Sequence, residues 1–291
     1  MRYYVKQSVY LIVYVLKLLL KGGFWGRYPY KKRYSGRMVI LANGPSLKEI
    51  LPEIGGRKEF YDVEFTVMNF FAFDPTFLII KPRFYCLADP MFIRSSHHRY
   101  QEVKKLFNYL QEKVDWDMNL YIPKWFGKKQ FLHYSFLTNP HIHIVTVNHT
   151  LYESFKCLRN RLYKKNLAMP LVGTVAQLGI YVAVNNGFEE INLYGVDHNM
   201  TSSLCVNDKN QLCNRMTHFY EESVELKIMM NEDYEQLKIA DYLIEIGNLF
   251  RSHDLLADYA KSMDVKIINC TPGSMIDSYE RIKMCVSRMI L

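Results

Sequence analysis

One short stretch, residues 38–50, constrains the fold more than any other part of the chain. It reads Met-Val-Ile-Leu-Ala-Asn-Gly-Pro-Ser-Leu-Lys-Glu-Ile. Its first five residues are apolar, which is typical of a strand buried on both faces of a sheet. Asn43 and Gly44 then supply turn chemistry, and Gly44 lets the backbone pass where a side chain would block it. The stretch therefore predicts a buried strand that ends in a tight turn.

The residues after this turn predict a helix over 47–54 with an anion site at its start. Pro45 suits the first turn of a helix, and Ser46 can satisfy a free backbone N–H group there. Free N–H groups and the helix dipole both favour a negatively charged ligand at a helix N-terminus. The pattern matches neither the Walker sequence nor GxGxxG, so a turn without a ligand remains the alternative.

The rest of the chain alternates short apolar segments with helical patterns. The later strands are predicted at 63–68, 83–88, 119–122, 142–147, 191–194 and 265–268. The later helices are predicted at 100–114, 151–166, 175–186, 275–290 and, as two or more helices, within 221–263. Strands that alternate with helices are typical of an α/β fold with a doubly wound parallel sheet.

Four polar side chains stand at predicted strand ends, namely Asn43, Asn69, Asp89 and Asp197. Ligands of open α/β sheets bind outside the carboxyl ends of the strands. Any one such residue is usually a turn residue or a cap, but four together indicate a nucleotide-binding rim. Thr174 is the expected N-cap of the helix at 175–186, where the same N–H groups can contact a phosphate.

Residues 199–217 are polar and irregular in pattern, which predicts a lid or binding loop. His218 follows this segment directly. A histidine between a loop and a helix is a candidate general base, because imidazole titrates near neutral pH. A solvent-exposed histidine at a helix start is the alternative.

The positive charge of the chain is concentrated in its N-terminal part. Residues 1–37 carry nine Lys and Arg and no acid, whereas the whole chain has a net charge of +8. The remaining residues therefore sum to −1, which argues against a nucleic-acid-binding fold. The six cysteines show no CxxC pattern and no zinc-ligand spacing, which favours reduced thiols in a cytosolic compartment.

The basic N-terminal part, residues 1–37, is predicted to form a membrane-interface helix and a basic linker. Its apolar stretch is too short and too interrupted for a spanning helix. Lys6 and Lys17 fall about 20° apart on a helical wheel. We expect residues 2–24 to lie on the membrane surface with this basic face toward anionic headgroups. A signal peptide and a helix packed on the domain or on a partner chain are the alternatives.

Four segments resemble motifs of the bacterial sialyltransferases of glycosyltransferase family 42. They are residues 42–50, the Met-Asn-Phe at 68–70, the Gly-Phe-Glu-Glu-Ile-Asn-Leu-Tyr-Gly-Val-Asp at 187–197, and the Asn-Cys-Thr-Pro-Gly-Ser-Met at 269–275. The matches cover roughly residues 38–285 and imply a Rossmann-like fold, so we expect one catalytic domain over 38–291 that includes the lid predicted above at 199–217. It also implies an inverting transfer from a CMP-sugar with a histidine base and no required cofactor.

Roles for individual residues follow from this resemblance. His218 would deprotonate the acceptor hydroxyl, and Tyr220 is the candidate for assisting the leaving phosphate. The residues implied in donor or nucleotide binding are Asn43, Gly44, Pro45, Ser46, Asn69, Asp89, Thr174, Asp197 and His198. Asp89 stands where the family has Asn, and no tyrosine lies between Asp197 and Tyr220. The safer prediction is therefore a nucleotide sugar, of which a sialic acid or related acid sugar is one case.

A second resemblance keeps another reaction open. Residues 171–176, Leu-Val-Gly-Thr-Val-Ala, together with Asp89 and Asp197, are similar to the family of hydroxymethylpterin pyrophosphokinase and flagellar accessory factors. There the acids would bind Mg²⁺ and a nucleoside triphosphate. A non-catalytic glycan-assembly protein is the third hypothesis.

The glycosyltransferase hypothesis also predicts where the protein is located and what its acceptor is. We expect a peripheral enzyme on the cytoplasmic side of the bacterial inner membrane, with a glycan or lipid-linked glycan as acceptor. Whether the chain forms a homo-oligomer is left open by the sequence.

Overall fold

The protein is described by a computed structural model over residues 2–20, 30–54, 56–217, 224–231 and 235–281. His218 and Tyr220 lie outside these residues, as do residues 21–24 of the predicted membrane segment. The described helices are α1 Arg2–Leu20, α2 Leu47–Ile50, α3 Thr76–Ile80, α4 Tyr100–Lys113, α5 Lys128–Ser135, α6 Lys156–Lys164, α7 Val175–Asn186 and α8 Ile239–Lys261.

A parallel sheet of eight described strands forms the centre of the molecule. Its strands are β1 Arg37–Leu41, β2 Val63–Met68, β3 Phe84–Cys86, β4 Met118–Pro123, β5 Ile142–Val147, β6 Glu190–Tyr194, β10 Lys266–Asn269 and β11 Glu280–Arg281. The order across the sheet is β11-β10-β6-β1-β2-β3-β4-β5, and all pairs are parallel. The chain runs from β1 through β2, β3 and β4 to the edge strand β5. It then crosses to the other side of β1, where it adds β6, β10 and β11. The Rossmann-like, doubly wound α/β fold is thus confirmed.

The alternation of side chains along β1 shows why both faces of the sheet are covered. Met38 and Ile40 belong to one apolar core, which α7 and the second half of α8 complete. Val39 and Leu41 point to the opposite core, which α4 and its neighbouring turns cover. An uninterrupted apolar strand is stable only where both faces are buried, as the sequence predicts here.

Several predicted elements are wrong in extent or type. The predicted helix 47–54 is one α-turn, α2, followed by a 3₁₀ turn at Leu51–Glu53. The predicted helix 151–166 covers only α6, because residues 148–154 make side-chain and backbone contacts outside a helix. Residues 280–281 form β11 beside β10, where a helix over 275–290 was expected. The rest of that predicted helix, residues 282–290, lies outside the described residues.

The segment 199–217 is also not irregular. It contains β7 Leu204–Val206 and β8 Leu212–Thr217, which pair antiparallel with each other and with β9 Val224–Ile228. Of the residues described within 221–263, those at 224–228 form β9 and those at 239–261 form one helix, α8, where two or more helices were predicted. β7 is only three residues long, and β8 mixes polar and apolar residues without a period of two. β9 does alternate, as Val-Glu-Leu-Lys-Ile, and the helical prediction over 221–263 overlooked that signal.

Helix α1 lies against the body of the protein. Tyr14 and Leu18 are buried there, and the Tyr14 hydroxyl donates to the carbonyl of Leu167 at 3.2 Å. Among the described residues no helix is both long and apolar enough to cross a bilayer. The N-terminal helix is therefore present, with one side packed on the domain.

Candidate functional site

A polar cavity of about 500 Å³ opens at the carboxyl ends of β1 and β2. The loop after β1 supplies Asn43, Gly44 and Pro45, and α2 supplies Lys48. Asn69 enters from the loop after β2, and Arg99 from the start of α4. The structure thus brings Asn43 and Asn69 together, as the strand-end rule predicts. Lys48 and Arg99 were missed, because nothing in their local pattern separates them from surface cations.

Asn69 is the most constrained residue of this cavity. It adopts the left-handed conformation with φ of 52°, which Asn tolerates better than most residues. Its carbonyl accepts from the Tyr85 hydroxyl, and its N–H donates to the Cys86 carbonyl at 3.3 Å. Its side-chain Oδ1 is buried and has no hydrogen-bond partner among the described residues. A buried amide oxygen lacks the hydrogen bond that such groups normally make, and a ligand in the cavity could supply the donor if the Asn69 side chain turned toward it.

The cationic side of the cavity is held in place by ordinary side-chain contacts. The Arg99 guanidinium lies 4.1 Å from the centre of the Phe70 ring and donates to both carboxylate oxygens of Glu102, at 2.7 and 2.8 Å. This hydrogen bonding lowers the pKa of Glu102. Lys48 is exposed on α2. Asp74 also lines the cavity, so the two cations and one carboxylate of the lining leave a net charge of +1, which favours an anionic ligand.

The crevice between β1 and β6, where the strand order reverses, is closed by packing. The Gly44 N–H donates to the Gly195 carbonyl at 2.8 Å, and the Ser46 hydroxyl donates to Asp197 Oδ2 at 2.9 Å. A Cβ at Gly44 would overlap the Asp197 carboxylate and the Gly195 carbonyl. Helix α2 has four residues, and Ser46 does not cap it with its side chain. The anion site at this helix start, with Ser46 as a ligand, stays a prediction.

Asp89 caps the turn that follows β3 and does not line the cavity. Its Oδ1 accepts from the Met91 N–H at 2.8 Å, at the start of the 3₁₀ turn Pro90–Ile93. Of the four predicted rim residues, Asn43 and Asn69 face one cavity, while Asp89 and Asp197 organise the loops around it. Met91 of the capped turn also lines the cavity, so Asp89 shapes the cavity indirectly.

Thr174 and His198 form a separate cluster with two residues that the sequence analysis missed. Thr174 Oγ1 lies 3.4 Å from His198 Nε2, and the rings of His198 and His253 are 5.0 Å apart. His253 Nδ1 lies 2.9 Å from the Tyr279 hydroxyl, while its buried Nε2 has no partner among the described residues. No local signal indicates this cluster, because α8 brings His253 to it from a distant part of the chain.

Burial keeps both histidines of this cluster neutral. It lowers the pKa of His198 to about 4 and that of His253 to about 3. The pKa of His253 is lowered further by repulsion from the positive charge that a protonated His198 would carry. Thr174 begins α7 as predicted, and its N–H donates to the Gln177 side chain at 3.2 Å. The cluster therefore joins the start of α7 to the middle of α8.

A smaller cavity of about 210 Å³ lies at the same edge of the sheet, at the ends of β3, β4 and β5. It is mostly apolar, and Trp125, His149 and Val172 are among its lining residues. Pro90 borders this cavity while Met91 borders the polar one, so the turn after Asp89 separates the two. The carboxyl edge of the sheet thus offers a polar, cationic cavity beside an apolar one.

The described residues contain no group of three His, Cys, Asp or Glu side chains arranged to hold a metal ion. No protein-family profile matches the chain, and no curated protein shows significant similarity to it. The resemblances to the sialyltransferase and pyrophosphokinase-like families therefore stay predictions. What the structure adds is the fold and the position of the polar cavity.

Proposed function

We propose that the protein is a glycosyltransferase that takes a sugar from a nucleotide donor and transfers it to a surface-glycan acceptor. The polar cavity carries this proposal: the unpartnered oxygen of Asn69 and the cations Lys48 and Arg99 converge at the carboxyl ends of β1 and β2. Sugar hydroxyls or the ribose would donate to Asn69, while the phosphate would lie near the cations. The chemistry of the cavity thus matches both halves of a nucleotide sugar.

The chemical step needs a charged leaving group and a proton acceptor. The bond from the anomeric carbon to the phosphate oxygen breaks as the acceptor hydroxyl attacks from the opposite side, which inverts the configuration. Lys48 and Arg99 would stabilise the negative charge on the departing nucleotide. His218 would take the acceptor proton, and Tyr220 would assist the departing phosphate. Both of these assignments rest on the sequence resemblance.

The finer assignments belong to the same proposal. The donor would carry a sialic acid or a related acid sugar, and the acceptor would be a glycan or a lipid-linked glycan. The enzyme would act peripherally on the cytoplasmic side of the bacterial inner membrane. No cofactor is required in this scheme, whereas the pyrophosphokinase-like alternative requires Mg²⁺ with a nucleoside triphosphate.

Ligand-induced thermal stabilisation should identify the donor and test the cavity. CMP-, UDP- and GDP-sugars and ATP with Mg²⁺ are compared, since a ligand of the native state raises Tm as its concentration exceeds Kd. Asn69→Gly keeps the left-handed backbone but removes the amide, and Lys48→Ala removes one cation. We expect each variant to weaken binding of the stabilising nucleotide sugar about tenfold or more.

The matched control for Lys48→Ala is Lys113→Ala, which removes an exposed cation at the end of α4 and away from the cavity. It should bind the donor as the wild type does. If ATP stabilised the protein, and did so only when Mg²⁺ was present, the result would support the pyrophosphokinase-like hypothesis instead. No stabilisation by any nucleotide would support the non-catalytic assembly protein.

His218→Ala separates catalysis from donor binding. With a donor that stabilises the protein, we expect turnover to fall at least about 100-fold, because a positioned base contributes that much to a proton-transfer step. The Tm shift on donor binding should stay unchanged. His133→Ala, which removes an exposed histidine of α5, is the control. Unchanged turnover in His218→Ala would rule out His218 as the base.

A further inference from the structure

Helix α1 is fixed to the body of the protein along one side. The Tyr14 ring packs against Tyr152 with 4.8 Å between ring centres, and its hydroxyl reaches the Leu167 carbonyl. The Ser154 hydroxyl contacts Gln7, one helical turn before Leu11, which also packs on the core. These contacts span most of the length of the helix. The helix is thus a fixed part of the surface of the domain.

The opposite side of α1 is an exposed apolar stripe, formed by Val5, Val9, Ile12, Leu16 and Leu19. Each of these side chains is between 52% and 60% exposed. Their spacing of four, three, four and three residues places them within about 80° of arc on a helical wheel, away from Tyr14 and Leu18. A continuous exposed stripe of large aliphatic side chains marks an interaction surface.

The charge around the stripe indicates what covers it. Lys6 and Lys17 lie on one flank, about 110° around the wheel from the centre of the stripe. Arg2 is a third cation of α1, and the helix contains no acid. In a second copy of this helix, cations would face cations without an acidic partner within the helix. An anionic lipid surface instead attracts the cations and accepts the aliphatic side chains.

We propose that the apolar stripe of α1 inserts into the surface of an anionic bilayer and holds the domain there in one orientation. The long aliphatic stems of Lys6 and Lys17 can follow the apolar boundary while their ammonium groups reach the lipid phosphates. Because α1 is fixed to the body through Tyr14, Leu18 and Gln7, it sets the orientation of the whole sheet on the membrane. This inference rests on α1 alone and makes specific the membrane placement in the proposed function.

Vesicle flotation tests this surface with the full chain and no nucleotide. The probes are vesicles of phosphatidylcholine with or without phosphatidylglycerol. We expect binding only with phosphatidylglycerol, and weaker binding as salt is raised, because salt screens the cations. Ile12→Glu combined with Leu16→Glu should lower the bound fraction at least about tenfold, since it places two carboxylates in the stripe.

Val206→Glu is the control, because Val206 is an aliphatic residue of β7 and is 55% exposed. It should bind vesicles as the wild type does. Equal binding by the double variant, or no binding by the wild type, would overturn the proposal. A wild-type dimer in solution that the double variant loses would also overturn it, because the stripe would then join two copies. Donor stabilisation of the double variant should remain normal, which keeps this test separate from that of the proposed function.

Discussion

Lowering the pH from 7 to 4 should destabilise the protein by at least about 3 kcal/mol, chiefly through His198 and His253. Both imidazoles are neutral in the folded protein, with pKa values of about 4 and about 3. In the unfolded chain a histidine titrates near its ordinary pKa of 6.5. Between these values the unfolded chain binds protons that the folded protein does not. The contribution of the two neutral histidines to the free energy of unfolding is therefore complete above pH 6.5, and it is lost as the pH falls toward 4.

The size of this effect follows from the shift at His198 alone. A shift from 6.5 to about 4 corresponds to about 3 kcal/mol, because each pKa unit contributes about 1.4 kcal/mol. His253 adds to this figure, although the two rings influence each other and the sum is smaller than two independent shifts. Asp258, whose pKa lies below its ordinary value of 3.8, loses its contribution only below about pH 4. Glu102, whose pKa is lowered from 4.5, begins to lose its contribution just above pH 4, but this exposed carboxylate contributes little. The window from 6.5 to 4 therefore reports mainly on the histidines.

Urea unfolding at several pH values measures this dependence directly. His198→Asn should flatten the curve, and Asn also suits the φ of 48° at this position. His133→Asn, an exposed position on α5, should leave the curve as it is in the wild type. A wild-type urea midpoint that stays constant from pH 7 to pH 4 would show that the two imidazoles are not buried in solution.

The sequence predicts the large sheet well because its strands are buried on both faces. Continuous apolar runs such as the one in β1 have few alternatives, and α7 is bounded by Thr174 and by Gly187 in the left-handed conformation. The small sheet of β7, β8 and β9 is different. β7 has three residues and β8 has no regular alternation, so neither gives a clear strand pattern. β9 alternates apolar and polar residues, but five residues beside a long helical pattern were outweighed in the prediction for 221–263.

Only some residues of the candidate site can be predicted from the sequence, for a related reason. Asn43 and Asn69 are predictable because a strand end is a local feature with a known place in the fold. Lys48 and Arg99 reach the same cavity through helices that pack beside it, and tertiary structure alone gives that position. The pairing of His253 with Tyr279 is likewise a contact between distant elements. His218 and Tyr220 lie outside the described residues and stay predictions.

Gly44→Ala should destabilise the protein by about 3 kcal/mol, because no space exists for the added methyl group. The new Cβ would lie 2.8 Å from Asp197 Cγ and closer still to the Asp197 carboxylate and the Gly195 carbonyl. The carbonyl belongs to the backbone after β6, so it cannot rotate away as a side chain can. The loop after β1 would have to move off β6, and the polar cavity that it lines would change shape.

Gly247→Ala provides the matched comparison, since a Cβ there meets no atom within 4 Å. Gly247 lies within α8, so alanine should stabilise the helix by about 1 kcal/mol. The same chemical change is thus expected to have opposite signs at the two positions. Urea unfolding measures both, and the linear extrapolation gives the difference.

A double variant shows which neighbouring group causes the loss of stability in Gly44→Ala. Asp197→Gly removes the carboxylate that the Cβ would meet but leaves the Gly195 carbonyl in place. Gly44→Ala should therefore cost less in the Asp197→Gly background than in the wild type, with a residual cost from the backbone contact. If Gly44→Ala left the urea midpoint unchanged in both backgrounds, the loop after β1 could not be seated on β6. The wall shared by Asn43, Gly44 and Pro45 would then be displaced, and the polar cavity would lose the residues that define it.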